Sequence, residues 1–109
     1  MYTHASIESM TKGKFIVLDG NDGSGKATQS RLLVEQFGKE SVWSIRMDFP
    51  AYERNFFGAF LGECLAGKHG DFLHMDPKVA SSIYALDRLE SSKNIRETLA
   101  EGRVVIADR

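Results

Sequence analysis

The sequence predicts an α/β protein built on a parallel sheet, and three observations carry that expectation. A continuous apolar run, Phe15–Leu18, leads into a glycine-rich loop and then an amphipathic stretch. Further along, apolar runs of strand length alternate with segments of helical periodicity. Residues with chemical potential, Gly20 to Lys26 and Asp108-Arg109, fall just after strand-like runs, where open α/β sheets place their ligands.

Each element has its own signal. Phe15–Leu18 is apolar throughout, as expected of a strand buried on both faces. Residues 26–37 read as a helix with Leu32, Leu33 and Phe37 on one side and Gly38 as its stop. Residues 41–47 alternate weakly around Val42, Trp43 and Ile45, which predicts a second strand ended by Asp48-Phe49-Pro50. A loop through Tyr52 to Asn55 follows. Phe57, Phe60, Leu61, Cys64 and Leu65 fall at i, i+3, i+4, i+7 and i+8, one apolar helical face, so core packing accounts for Cys64. Residues 67–71 read as a loop in which His69 is a solvated polar residue. Asp76-Pro77 is a helix start, a capping carboxylate before a proline at the first helical position. That helix is expected to reach about Glu101 and stop at Gly102. Residues 103–107 read as a third strand. The order strand–helix–strand–helix–helix–strand implies right-handed crossovers between parallel strands.

The chain has 109 residues, 42% hydrophobic and 27% charged, with a formal net charge of −1. One modest core fits that length. The charge argues against a protein that lives on nucleic acid or an anionic membrane. Cys64 is the one cysteine, so no internal disulfide forms, which fits a reducing, cytoplasmic setting. No apolar stretch approaches the roughly 20 residues of a membrane span. Residues 1–12 are polar, read as a flexible tail and lack a signal-peptide core; Met10 is an alternative start.

The loop carries the sharpest chemistry. Gly20-Asn21-Asp22-Gly23-Ser24-Gly25-Lys26 has the spacing of a P-loop, in which backbone N–H groups wrap a phosphate chain and the lysine neutralises it. The following helix would start at the phosphate, so its free amides and positive dipole end face the anion. A chance glycine-rich turn is the bland alternative, and the apolar run before and helical pattern after it argue against that. Ala27 stands where a Ser or Thr hydroxyl would bind Mg²⁺, with Thr28 next. Either the site binds nucleotide without chemistry, or the metal is held through water and a carboxylate elsewhere. The run Gly25-Lys26-Ala27-Thr28-Gln29 is similar to that of adenylate kinases, which are active without that hydroxyl, and this favours the second.

Four pieces together resemble the N-terminal half of bacterial-type thymidylate kinases: the P-loop run through Gln29; Phe49-Pro50 after the second strand; Tyr84-Ala85-Leu86-Asp87-Arg88 in the long helix; and Val104-Val105-Ile106-Ala107-Asp108-Arg109. The resemblance covers nearly everything from residue 14 onward. It implies a P-loop, nucleoside-monophosphate-kinase-like, three-layer α/β/α fold with strand order 2-3-1-4-5, truncated here after the third strand. It implies transfer of the ATP γ-phosphate to dTMP with Mg²⁺. Gly20, Asn21, Asp22, Gly23, Ser24, Gly25, Lys26, Ala27 and Thr28 would bind ATP, with Lys26 on the outer phosphates. Asp22 would also approach the sugar 3′-hydroxyl of dTMP; a turn-forming aspartate is its bland reading. Phe49, Pro50, Arg54, Tyr84, Arg88 and Arg109 would bind dTMP, with Tyr84 stacked on thymine and Arg88 on the base. Alone, Tyr84 would read as a core aromatic and Arg88 as a paired surface charge. Lys26, Asp108 and Arg109 would be catalytic, with Asp108 holding Mg²⁺ through water and Arg109 clamping the acceptor phosphate.

Two positions depart from the family pattern. Ala51 and Tyr52 stand where relatives place a phosphate-gripping arginine, which leaves Arg54 as the first one available. Gly23 offers no catalytic arginine in the loop, which implies one in a lid. Residues 13–109 thus read as the N-terminal part of a kinase domain whose lid and last two strands lie outside this chain. On that reading the chain alone is unstable and inactive, with an open apolar edge on its first strand, and the full-length protein is a homodimer. Other nucleoside monophosphate or deoxynucleoside kinases, a non-catalytic ATP-binding module and a structural domain with a vestigial loop are the alternatives.

Overall fold

The structure, a computed structural model, describes residues 13–21 and 23–109; the expected tail, 1–12, and Asp22 lie outside the described residues. The chain divides into two compact units. One takes in the described residues up to Asp48 together with 94–109, and the other is Phe49–Lys93.

The first unit holds a three-stranded parallel sheet of β1 (Phe15–Leu18), β2 (Ser44–Asp48) and β3 (Val104–Asp108), in the order β1-β3-β2. That is the 2-3-1 portion of the expected order. β3 lies between two partners and all five of its residues are buried, with Val105 and Ile106 at 0% exposure. Helix α1 (Lys26–Lys39) joins β1 to β2 and packs over β2 and β3. β1 departs from the expectation of burial on both faces. Among the described residues it pairs only with β3, and Phe15 and Val17 on its alternate face are 49% and 44% exposed. An edge strand not covered on that face keeps its period-2 exposure however apolar its sequence. The apolar stripe of α1 is also narrower than its sequence suggests: Leu33 and Phe37 are half-buried and Leu32 is exposed. Its fully buried residue is Ser30, whose hydroxyl donates to the Ala27 carbonyl at 2.9 Å.

The second unit contains helix α2 (Phe56–Leu65), a 3₁₀ turn at Phe72–His74, and the part of helix α3 (Pro77–Ala100) up to Lys93. Leu61, Cys64 and Phe72 form its core, with Phe60, Met75, Ala80, Ile83 and Tyr84 packed around them. Cys64 is free and buried, as its place on the apolar face predicts. Leu65, at the end of that face, is exposed. His69 contacts Glu63 at 3.2 Å and its ring lies 5.0 Å from that of Phe60, so it is not merely solvated. Asp76 caps α3 by accepting the Lys78 N–H at 2.8 Å, with Pro77 at the first helical position. At the other helix start, the Glu90 carboxylate accepts the Phe56 N–H at 2.9 Å and the Phe57 N–H at 2.5 Å. A carboxylate there satisfies orphan amides and meets the positive end of the helix dipole. None of the described helices is long and apolar enough to cross a membrane.

The three described α-helices close with the same pair of hydrogen bonds. Val42 and Ser41 donate to Phe37 and Gly38; Lys68 and Gly67 donate to Glu63 and Cys64; Arg103 and Gly102 donate to Thr98 and Leu99. This closure needs a left-handed residue, usually glycine. Gly67 (φ 81°) and Gly102 (φ 82°) fill that role, but α1 uses Ser41 (φ 59°). The expected stop at Gly38 is therefore corrected: Gly38 is helical and the chain reverses three residues later. Ser41→Gly removes the Cβ strain and adds unfolded-state entropy, for a net gain of about 0.5–1 kcal/mol. Urea unfolding of the two proteins measures it; an unchanged or lower midpoint would contradict this account of the helix end.

Candidate active site

The phosphate loop belongs to the first unit. It leaves β1 at Leu18, which is in register with Asp108 of β3. The parallel pairing thus sets the start of the loop level with the last residue of the central strand. Within the loop the Ser24 N–H donates to the Asn21 carbonyl at 3.1 Å. Gly23 and Gly25 adopt φ of 81° and 90°. Space for a Cβ exists at both, so backbone conformation rather than crowding calls for glycine. Gly25 caps α1 without a side-chain hydrogen bond, leaving the first amides of the helix open to an anion.

A cavity of about 380 Å³ lies against this helix start, lined by Gly23, Gly25, Lys26, Ala27, Thr28 and Asp108. Lys26 Nζ donates to the backbone oxygen of Arg109 at 2.6 Å and stands 4.0 Å from Asp108 Oδ1. Asp108 is 9% exposed. Its other oxygen, Oδ2, accepts from Arg46 Nη2 at 3.2 Å, and the same nitrogen reaches Asp48 Oδ1 at 2.8 Å. The Arg109 guanidinium approaches Asp19 at 3.9 Å. Of the loop and strand-end residues singled out by sequence, the structure gathers five loop residues and Asp108 around one cavity. Gly20, Asn21 and Ser24 shape the turn without lining that cavity, and Asp22 is outside the described residues.

The residues expected to hold a base fall in the second unit. The Phe49–Pro50 peptide bond is cis. Phe49 is buried, and the guanidinium carbons of Arg54 and Arg88 each lie 5.6 Å from its ring centroid. Arg88 also lies 5.5 Å from the ring of Tyr84, one turn earlier on α3, and donates to the Tyr84 carbonyl at 3.2 Å. Phe49, Arg54, Tyr84 and Arg88 therefore form one cluster of aromatic faces and cations. Tyr84 also packs against Phe72, with ring centroids 6.5 Å apart, so it serves the core as well.

Sequence reasoning missed the group that holds this cluster. Asp87 is fully buried. Its two carboxylate oxygens accept the Ala51 N–H at 3.1 and 3.2 Å, and Oδ1 accepts from Asn55 Nδ2 at 3.0 Å. Asn55 also donates to the Asp87 carbonyl at 2.7 Å and to Ser91 Oγ at 3.0 Å. Arg88 Nη1 is 3.4 Å from Asp87 Oδ2. Gly58 completes the fit, since a Cβ there would lie 2.1 Å from the Ala51 oxygen. The turn after Phe49-Pro50 is thereby tied to the helix that carries Tyr84 and Arg88. Asp87 lies within the Tyr84–Arg88 run, but its partners lie 32–36 residues away and no local pattern joins them.

A glycine loop, a lysine at a helix start and a parallel sheet ending in a buried carboxylate define a P-loop α/β fold. Comparison narrows the class. A family model described as thymidylate kinase matches residues 18–109. A probable thymidylate kinase of Methanocaldococcus jannaschii is 36% identical over 100 residues, 92% of this chain and 47% of the relative. A thymidylate kinase of Synechococcus sp. (strain JA-3-3Ab) is 40% identical over 98 residues, 87% of this chain and 44% of the relative. A solved thymidylate kinase from Candida albicans superposes with a TM-score of 0.75 at 26% identity, over 90% of this chain and 40% of that one. The chain belongs to the thymidylate kinase family. It spans about half the length of the curated relatives it matches.

Asp87→Ala orphans the buried Ala51 amide, at about 1–3 kcal/mol, while Asn55 keeps the Asp87 carbonyl and Ser91 Oγ as acceptors. Asp87→Asn keeps one acceptor oxygen and costs less. Chemical denaturation of both variants checks this order; equal stability of Asp87→Ala and the parent would refute the clamp.

Proposed function

We propose that this chain supplies the donor cradle and the acceptor-base pocket of a thymidylate kinase, which transfers the γ-phosphoryl group of ATP to dTMP, giving dTDP and ADP for dTTP synthesis. The observation that carries the reading is the Phe49–Arg54–Tyr84–Arg88 cluster. A bare phosphate cradle has no use for an aromatic face flanked by cations, and a pyrimidine monophosphate has use for both.

On this reading Lys26 and the loop amides hold the outer phosphates of ATP, with Asp22 near the acceptor sugar. Tyr84 offers a flat face to thymine, Arg88 its edge contact, and Phe49-Pro50 bounds the pocket. Arg54 and Arg109 serve as forks for the acceptor phosphate. A dTMP phosphate oxygen attacks the γ-phosphorus in line, the bond to the bridging oxygen of ADP breaks, and fixed cations stabilise the charge that spreads between them. Among the described residues no three His, Cys, Asp or Glu side chains gather into a metal cage, and Asp108 is the one carboxylate lining the cavity. That donor set suits Mg²⁺, which keeps its waters and binds through few carboxylates and the substrate phosphates. When bound, the ion would offset phosphate charge; Asp108 would hold it, through water.

Residues 13–109 act on this reading as the N-terminal part of the kinase domain, with the lid arginine elsewhere. A cytoplasmic location follows from the substrates, and the buried, unpaired Cys64 is compatible with it. Exposed Phe56 and Leu89 offer apolar surface for a homodimer.

One observation favours a second reading, a module that binds ATP without turnover: Ala27 lines the cavity where a hydroxyl would face the metal. Coupled turnover by the full product of the gene, with dTMP, dUMP, AMP and CMP as parallel acceptors, separates the two. Selective use of dTMP is expected, with Tyr84→Ala losing about 1–3 kcal/mol of acceptor binding. ATP binding with no turnover on any acceptor would replace the kinase reading with the non-catalytic one.

A further inference from the structure

We propose that Arg46 is a positioning residue for Asp108, holding one carboxylate oxygen so that the other is presented to the phosphate cradle. The inference rests on the reading of the cradle as an ATP phosphate site. Arg46 lies on β2 opposite Ile106, and Asp48 lies opposite Asp108. Residues 46 and 48 share a face of the strand, and a long side chain at 46 reaches the diagonal neighbour across the pair. Arg46 Nη2 spans the two carboxylates, at 2.8 Å from Asp48 Oδ1 and 3.2 Å from Asp108 Oδ2.

The two oxygens of Asp108 are thus differentiated. Oδ2 is occupied by a guanidinium, and Oδ1 faces Lys26 at 4.0 Å. The Asp108 side chain is 11% exposed, so its charge is shielded from water and depends on these partners. Lys26 sits on a flexible stem and is the cation that a phosphate chain recruits. Once Lys26 turns to the phosphates, Arg46 is the partner that still balances and orients Asp108. Asp48 in turn holds the guanidinium, so Arg46 does not follow Lys26 toward the anion. An ordinary exposed ion pair would contribute little here, but this pair buries one partner at the mouth of the cavity.

A double-substitution cycle tests it: Arg46→Met, Arg46→Lys, Asp108→Asn and Arg46→Met/Asp108→Asn in the full gene product. The readout is the affinity of the β,γ-imido analogue of ATP with and without Mg²⁺, by calorimetry, alongside thermal melting. Partners that orient a metal-binding carboxylate are worth ~10–100-fold in affinity. Arg46→Met is expected to weaken the Mg²⁺-dependent binding by about tenfold, at the lower end of that range. The loss should shrink below about twofold once Asp108 is Asn, because the two act as one unit. Arg46→Lys should recover part of it. An equal loss in the Asp108→Asn background would overturn the proposal, since Arg46 would then act on the phosphates by itself. Parental affinity in Arg46→Met would overturn it too, whether or not melting changes. Failure of the parent protein to bind the analogue at all would instead overturn the cradle reading, and this inference with it.

Discussion

The register between β1 and β3 is the constraint on which the rest depends. Leu18 pairs with Asp108 in a parallel ladder, so the strand that launches the phosphate loop and the strand that ends in the carboxylate finish at the same level. A slip of one residue would turn Asp108 to the opposite face and take Lys26 away from it. The ladder is held by burial: β3 has neighbours on both edges and no exposed residue, and a strand in that position has little freedom to shift. Cavity, lysine and carboxylate meet because of that pairing, and Arg46 reaches Asp108 because β2 runs in register on the other side.

The second unit solves a similar problem with a buried charge in place of a sheet. Asp87 gathers a backbone amide, a side-chain amide and a guanidinium, and Gly58 lets the Ala51 carbonyl come close enough for the set to fit. A buried carboxylate is costly unless its oxygens find donors, and both oxygens of Asp87 do. The consequence is geometric. The turn that carries Phe49 and Pro50 is fixed to the helix that carries Tyr84 and Arg88. The aromatic rings and guanidinium groups of that cluster are therefore held together by the fold itself.

Much of this was legible along the chain, because much of it is local. Glycine spacing, a lysine at a helix start, the Asp76-Pro77 cap and the i, i+4 relation of Tyr84 and Arg88 are patterns within a few residues. Boundaries read less well. Phe15–Leu18 carries a double-sided apolar signal, yet β1 is an edge strand among the described residues, and period alone does not report its neighbours. Gly38 looked like a stop because glycine usually ends helices, whereas Ser41 takes the left-handed conformation through backbone bonds to Phe37 and Gly38. The largest omissions, Arg46 with Asp108 and Asp87 with Ala51, join residues 62 and 36 positions apart. Such pairs exist only once the fold has brought them together.

The most direct test of the central claim, a cradle for a nucleotide phosphate chain set level with Asp108, is a calorimetric comparison of AMP, ADP and ATP binding, each with the full product of the gene and with its Lys26→Met variant. The account predicts affinity that rises with each added phosphate, and a loss in Lys26→Met that is large for ATP and small for AMP. Equal affinity for the three nucleotides, or an ATP affinity untouched by Lys26→Met, would contradict it.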